Sequence, residues 1–238
     1  MVVINHGQNG FADHHRQARY RPLETVKFFL DRGYLVVAPM RQGFANSTGV
    51  YSFHCDHEKY ALRYAGDIAA AAEHFVRHGQ ADANQVLVTG QSNGGMVLLG
   101  YAAETAAHKP VARAVINFSG GYNWFNGTCS WQQGMIDAAT ALGTQTKIPA
   151  LWLYAADDHI FPGEFSPRFF AAYQAVHPGA SFILYPRGGH GMSNTRQGRE
   201  MWTPDVERFL RQAGLPWERV GGAAAAARVE TPVEAKDK

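Results

Sequence analysis

Ser92 stands between two glycines directly after an apolar, β-branched run, in Val86-Leu87-Val88-Thr89-Gly90-Gln91-Ser92-Asn93-Gly94. Glycine in such a place costs backbone entropy, so the pair marks a geometric requirement. A strand, Gly-x-Ser-x-Gly and then a helix is the pattern of a nucleophile elbow. The turn is so tight that the residues two before and two after the serine approach each other, and side chains there would clash. The hydroxyl then projects above the carboxyl ends of the strands, where open sheets bind ligands. A serine hydroxyl is a weak nucleophile until a base takes its proton, and the usual base is a histidine held by a carboxylate.

The chain holds 11 histidines, so order and context must choose among them. Ala155-Ala156-Asp157-Asp158-His159 follows the apolar run ending at Tyr154, and Pro186-Arg187-Gly188-Gly189-His190-Gly191 follows the run ending at Tyr185. Nucleophile, acid, histidine is the order in which this kind of site is written. His190, flanked by glycines, is the expected base; His159 comes too early in the chain. Spacing alone does not separate Asp157 from Asp158, and Asp158 is preferred.

Acyl transfer places negative charge on an oxygen, which backbone N–H groups receive. Asn93, the residue after the serine, supplies one. The second is expected from the glycine-rich loop His6-Gly7-Gln8-Asn9-Gly10, with Gln8 preferred and Asn9 the alternative. His6 is read as a ring that fixes this loop through a hydrogen bond to backbone. Tyr122, Trp124 and Phe125, with Trp131 close behind, form either an apolar wall for the substrate or a small lid packed over the core.

Positioning these loops requires strands and helices in alternation. Apolar runs near residues 2, 34, 86, 112, 149 and 181 read as six strands. Helices are expected over 22–32, with Leu23, Val26, Phe29 and Leu30 on one face, and over 60–78, 93–104, 130–142, 166–176 and 204–212. Continuous apolar strands alternating with helices indicate an α/β fold with a mostly parallel sheet covered on both faces. Residues 1–217 are expected to form one domain and 218–238 a loose tail, because GGAAAAARVETPVEAKDK has no apolar face to bury.

The 238 residues suffice for one core, and the net charge of +2 carries no signature of a nucleic-acid binder. No apolar stretch reaches the length of a membrane span. The chain opens in a strand-like run with no basic n-region or cleavage site, so no signal peptide is expected, and leading strands are expected to be missing. Neither Asp13-His14-His15 nor His54-Cys55-Asp56-His57 places four ligands at one point, so no metal is expected, and no dinucleotide fingerprint or other cofactor motif is present. Nothing sets an oligomeric state.

At this point the chain resembles an α/β-hydrolase, and more narrowly the dienelactone hydrolase and prolyl-oligopeptidase-like group. The matching stretches are VVINHGQNG at 2–10, VVAPMRQGFANSTG at 36–49, VLVTGQSNGGM at 86–96, LWLYAADDHIFP at 151–162 and YPRGGHGM at 185–192. They occur in family order. The resemblance implies a triad of Ser92, Asp158 and His190, the family's Asp-x-x-x-Pro matching Asp158 to Pro162. It implies a hydrolase acting on a small or medium ester, with a peptidase or amidase and a non-catalytic binding protein as alternatives. The best-known dienelactone hydrolases carry cysteine at the elbow, so serine here points toward ordinary esters. Similar proteins are often exported. Cys55 and Cys129, on loops of the same rim, suit a disulfide, which favours a periplasmic or secreted location over the cytoplasm.

Overall fold

The computed structural model describes residues 1–9, 13–53, 55–105, 107, 111–123 and 129–221. Six strands form one sheet: β1 (Val2–Asn5), β2 (Val36–Val37), β3 (Leu87–Gln91), β4 (Ala114–Phe118), β5 (Ala150–Ala155) and β6 (Ala180–Tyr185). Their spatial order is β2-β1-β3-β4-β5-β6, and every neighbouring pair is parallel. The helices are α1 (Leu23–Leu30), α2 (His57–Arg77), α3 (Asn93–Ala103), α4 (Trp131–Gln145), α5 (Ser166–Val176) and α6 (Arg196–Gln212). This is the fold of an α/β-hydrolase.

The strands read as unbroken apolar runs because both sheet faces are covered. Val3, Val88, Val115 and Trp152 point to one core, shared with α2, α3, α4 and α5. Their sequence neighbours Ile4, Leu87, Ile116 and Leu153 point to the other, shared with α1 and α6. The period of two along each strand thus feeds two cores at once. Helix α3 lies between α2 and α4, which explains why all its residues from Asn93 to Ala103 are buried.

Connections place the site. The chain leaves β1 through α1 on one face to reach β2, then returns through α2 on the other face to reach β3. The strand order therefore reverses at β1, and the loops after β1 and β3 diverge at their carboxyl ends. Such a switch point opens a crevice where ligands bind.

Two expectations need correction. Helix α1 buries Thr25, Phe28 and Phe29, while Leu23 and Leu30 are 69% and 52% exposed. Phe28 turns inward because Trp202 of α6 meets it at 4.9 Å, and the Thr25 hydroxyl finds the Ser193 carbonyl at 2.6 Å. The last helix begins at Arg196 rather than Pro204: Thr195 caps it by accepting from the Gly198 N–H at 3.0 Å. Pro204 lies inside that helix, where buried Trp202 and Val206 hold the chain helical on both sides of it. Strand β2 is only two residues long, because it is an edge strand with a single neighbour and Pro39 close behind.

Among the described residues no helix is long and apolar enough to cross a membrane. No three His, Cys, Asp or Glu side chains converge there to hold a metal ion. Cys55, before α2, is joined to Cys129, before α4, with their Cα atoms 5.5 Å apart. The expected tail falls mostly on 222–238, outside the described residues.

Candidate active site

Ser92 sits at the join of β3 and α3 with φ 55° and ψ −128°. A non-glycine residue adopts positive φ only where its surroundings force it, and such strain concentrates at functional turns. The surroundings here are explicit. A Cβ on Gly90 would lie 2.4 Å from the Gly94 carbonyl oxygen, and one on Gly94 would lie 2.3 Å from the Asn5 carbonyl oxygen. The Ser92 N–H donates to the Phe118 carbonyl at 3.0 Å, and its own carbonyl accepts from Gly95 at 2.8 Å and Gly121 at 2.9 Å. The backbone on both sides of the serine is therefore pinned, and α3 aims its N-terminus at the same place.

His190 lies on the loop after β6. Its Nδ1 is 2.9 Å from Oδ2 of Asp158, whose side chain is fully buried, while the imidazole keeps 18% exposure. The other Asp158 oxygen accepts the N–H groups of Ile160 at 2.8 Å and Phe161 at 3.1 Å. Burial alone would raise this carboxyl. The hydrogen bond and charge of His190, with the two amides, more than reverse that and hold it below the ordinary carboxylate range. Asp157 has a different partner: it accepts the Gly189 N–H at 2.7 Å. The two adjacent aspartates thus divide between the ring and the backbone of one loop. His159 is exposed, its ring centroid 6.4 Å from that of His190.

The loop after β1 is held just as closely. The Asn9 N–H donates to Oε1 of Gln17 at 3.0 Å, whereas the N–H groups of Gln8 and Asn93 take no acceptor among the described residues. An oxyanion is received by amides without another acceptor, a condition that Gln8 meets and Asn9 does not among the described residues. The Cβ of Ser92 would be 3.2 Å from a Cβ on Gly7, so this loop passes directly over the serine. His6 is fully buried and accepts the Arg41 N–H through Nε2 at 3.0 Å; Nδ1 then carries the proton and donates to the Gly7 carbonyl at 2.7 Å. Burial first, then the charge of Arg41, holds His6 well below the usual imidazole range, so it stays neutral. It braces the loop, as expected.

Tyr122 is 5% exposed and packs on Phe53 at 4.1 Å and Tyr60 at 5.0 Å between ring centroids. Its hydroxyl bonds with Tyr51 and Gln8. Its ring therefore belongs to the buried core on that face of the sheet. Trp124 and Phe125 lie outside the described residues. Trp131 packs on Phe165 at 5.0 Å.

Two residues escaped the sequence reading. The Gln91 amide donates to the His190 carbonyl at 3.1 Å, and the only signal for it was its place between Gly90 and Ser92. Arg41 is fully buried behind the elbow and reaches both Asn5 and Asn93. Its contacts cross 36 and 52 residues of chain, distances that no local pattern shows.

A model of the prolyl oligopeptidase family matches residues 21–214. No curated protein gives a significant sequence match. Among solved structures, an esterase of Pyrococcus furiosus superposes with a TM-score of 0.64 at 17% identity, over 90% of this chain and 81% of the esterase. A lipase-esterase related protein of Clostridium acetobutylicum gives 0.60 at 14% identity, over 87% of this chain and 93% of that one. A puromycin-hydrolyzing peptidase of Mycobacterium tuberculosis gives 0.63 at 20% identity, over 92% of this chain but 35% of the peptidase. At these identities the likeness is one of fold.

Proposed function

Because the chain belongs to the prolyl oligopeptidase family, a group of α/β-hydrolases of the serine-hydrolase type, we propose that it cleaves carboxylic esters of small or medium size. His190 takes the proton of Ser92 as the hydroxyl oxygen attacks the ester carbonyl. Asp158 holds the ring in one tautomer and stabilises its cationic form. The N–H groups of Gln8 and Asn93 receive the oxyanion. The tetrahedral intermediate then collapses, His190 protonates the departing alcohol, and an acyl-serine remains. Water, deprotonated by His190, attacks that acyl group and releases the acid and the free serine.

The observation that carries this reading is the buried Asp158 carboxylate bonded at 2.9 Å to His190, on a loop tied to the residue before a strained Ser92. An ester asks less of such a site than a peptide, since its carbonyl is less stabilised by resonance and its alcohol needs less help from the general acid to leave. The Cys55–Cys129 bond supports an oxidising, extracytoplasmic setting.

The test is covalent labelling with a fluorophosphonate probe beside turnover of a short-chain aryl ester. Labelling confined to Ser92, and loss of turnover in a folded Ser92→Ala variant, are expected. No labelling of folded protein would leave a binding protein as the better reading. The family match favours one alternative, a peptidase: faster release of an aminoacyl amide than of the matched ester would establish it.

A further inference from the structure

Arg41 is 1% exposed, and its guanidinium forms no ion pair among the described residues. Its Nη1 donates to Oδ1 of Asn5 and to the His6 carbonyl, both at 2.6 Å. Its Nη2 donates to Oδ1 of Asn93, which also accepts the Tyr60 hydroxyl at 2.7 Å. Asp67, the nearby carboxylate whose charge the guanidinium feels, instead accepts the Gln42 N–H at 2.9 Å. Guanidinium does not deprotonate in proteins, so a full positive charge sits here on neutral acceptors only. Burying a charge whose bonded partners are all neutral is costly, and the fold must have a use for it.

Its partners show the use. Asn93 supplies one of the two free amides over Ser92. The His6 carbonyl lies one residue before the Gly7–Gln8 peptide, which supplies the other. One rigid fork therefore holds both sides of the pair, while Asn5 adds a bond of its own to the Gly94 carbonyl at 2.9 Å. We propose that Arg41 is a positioning residue that fixes the spacing of the Gln8 and Asn93 amides and adds its positive field where the oxyanion forms. This rests on the ester-hydrolase reading above. A lysine could supply the charge but not the planar fork, and a methionine neither. Substrate in its ground state carries no charge at that oxygen, so the effect belongs to the transition state.

The experiment compares the parent with Arg41→Lys, Arg41→Met and, as control, Tyr60→Phe, which removes the other donor to Asn93 but leaves the cation. Folding is followed by circular dichroism. Turnover of an aryl ester is read beside the affinities for a trifluoromethyl ketone, which forms a charged tetrahedral adduct, and for the product carboxylic acid. Expected is a fall in kcat on the order of a hundredfold for Arg41→Met and of tenfold for Arg41→Lys, with KM nearly constant, scaled to the loss of one oxyanion donor. Ketone affinity should fall in parallel and acid affinity should not. Tyr60→Phe should lose less than about threefold, consistent with a neutral hydrogen bond at the same acceptor. If Arg41→Met does not fold, Arg41→Lys and Tyr60→Phe decide. Folded arginine variants with parental kcat and ketone affinity would overturn the proposal, as would a Tyr60→Phe loss equal to that of Arg41→Lys. A parent that neither turns over the ester nor takes the fluorophosphonate would instead overturn the ester-hydrolase reading.

Discussion

The side-chain amide of Gln91 donates to the main-chain carbonyl of His190 at 3.1 Å, across 99 residues of chain. The residue before the strained serine thus holds the loop that carries the imidazole. Two further ties come from the loop after β5: Asp158 to the ring and Asp157 to the Gly189 N–H. The loop needs them, since Gly188 and Gly189 take φ values of 147° and 60°, where no side chain stiffens the backbone. Three ties from two strands convert a flexible stretch into a defined perch for one ring.

Gln91→Ala should therefore lower kcat about tenfold, equivalent to ~1.4 kcal/mol of transition-state stabilisation, with KM changed less than twofold. Stability should hardly move, because Gln91 is half-exposed. Steady-state kinetics beside a thermal melt check this. An unchanged kcat would mean the loop keeps its shape without the bond.

The two aspartates should separate by effect. Asp158→Asn keeps the shape but lets the imidazole adopt the wrong tautomer, and a loss of roughly a thousandfold or more in kcat is expected. Asp157→Asn keeps an oxygen that still accepts from Gly189, so a loss below about tenfold is expected. Equal losses would contradict the division of labour seen between ring and backbone.

Acid stability follows from the same pair. The Asp158 carboxyl titrates below its unfolded value, so its contribution is complete above the unfolded carboxylate range near 3.9. As pH falls through the lower folded value, that contribution is lost. The melting temperature of the parent should exceed that of Asp158→Asn at pH 6, and the gap should close below about pH 4. A gap that widens on acidification would reverse the sign of the argument.

The residues of the candidate site were legible where local pattern marks them. Ser92, Asp158 and His190 each follow an apolar run, and glycines or Pro162 mark their turns. What was not legible crosses the chain. Arg41 meets partners 36 and 52 residues away, and no periodicity encodes that. Helix α1 shows the same limit: in LETVKFFL several apolar stripes are available, and Trp202, distant in sequence, selects the one through Phe28. Pro204 misled because proline usually marks a first turn, and the packing of Trp202 and Val206 outweighs that preference.

The disulfide closes a loop of 74 residues in sequence separation. Chain entropy alone would make that worth about 4 kcal/mol, an upper bound where the unfolded chain retains structure. Cys55→Ser with Cys129→Ser should lower the melting temperature by several degrees without abolishing the fold, on the order expected for a domain of this size. Thiol titration of unfolded, unreduced protein made under oxidising conditions should find no free thiol. Two thiols per chain would remove both this prediction and the support for an extracytoplasmic setting.

Glycines at three places give opposite outcomes from one substitution. In Gly94→Ala the new methyl would lie 2.3 Å from the Asn5 carbonyl oxygen, and in Gly90→Ala 2.4 Å from the Gly94 carbonyl oxygen. Both obstacles are backbone of the central strands or of the turn itself, so neither can swing aside. The elbow must open, Ser92 leaves its strained conformation, and a destabilisation of about 3 kcal/mol or more is expected, with activity lost even in the folded fraction. Gly66 lies on the exposed side of α2, and a methyl there meets nothing within 4 Å. Alanine at that position removes the entropic penalty of glycine in a helix and should stabilise by roughly 0.5–1 kcal/mol with activity unchanged. Chemical denaturation of the three variants checks the contrast. A folded, active Gly94→Ala protein would show that the approach of the elbow to β1 is not what holds Ser92 in place.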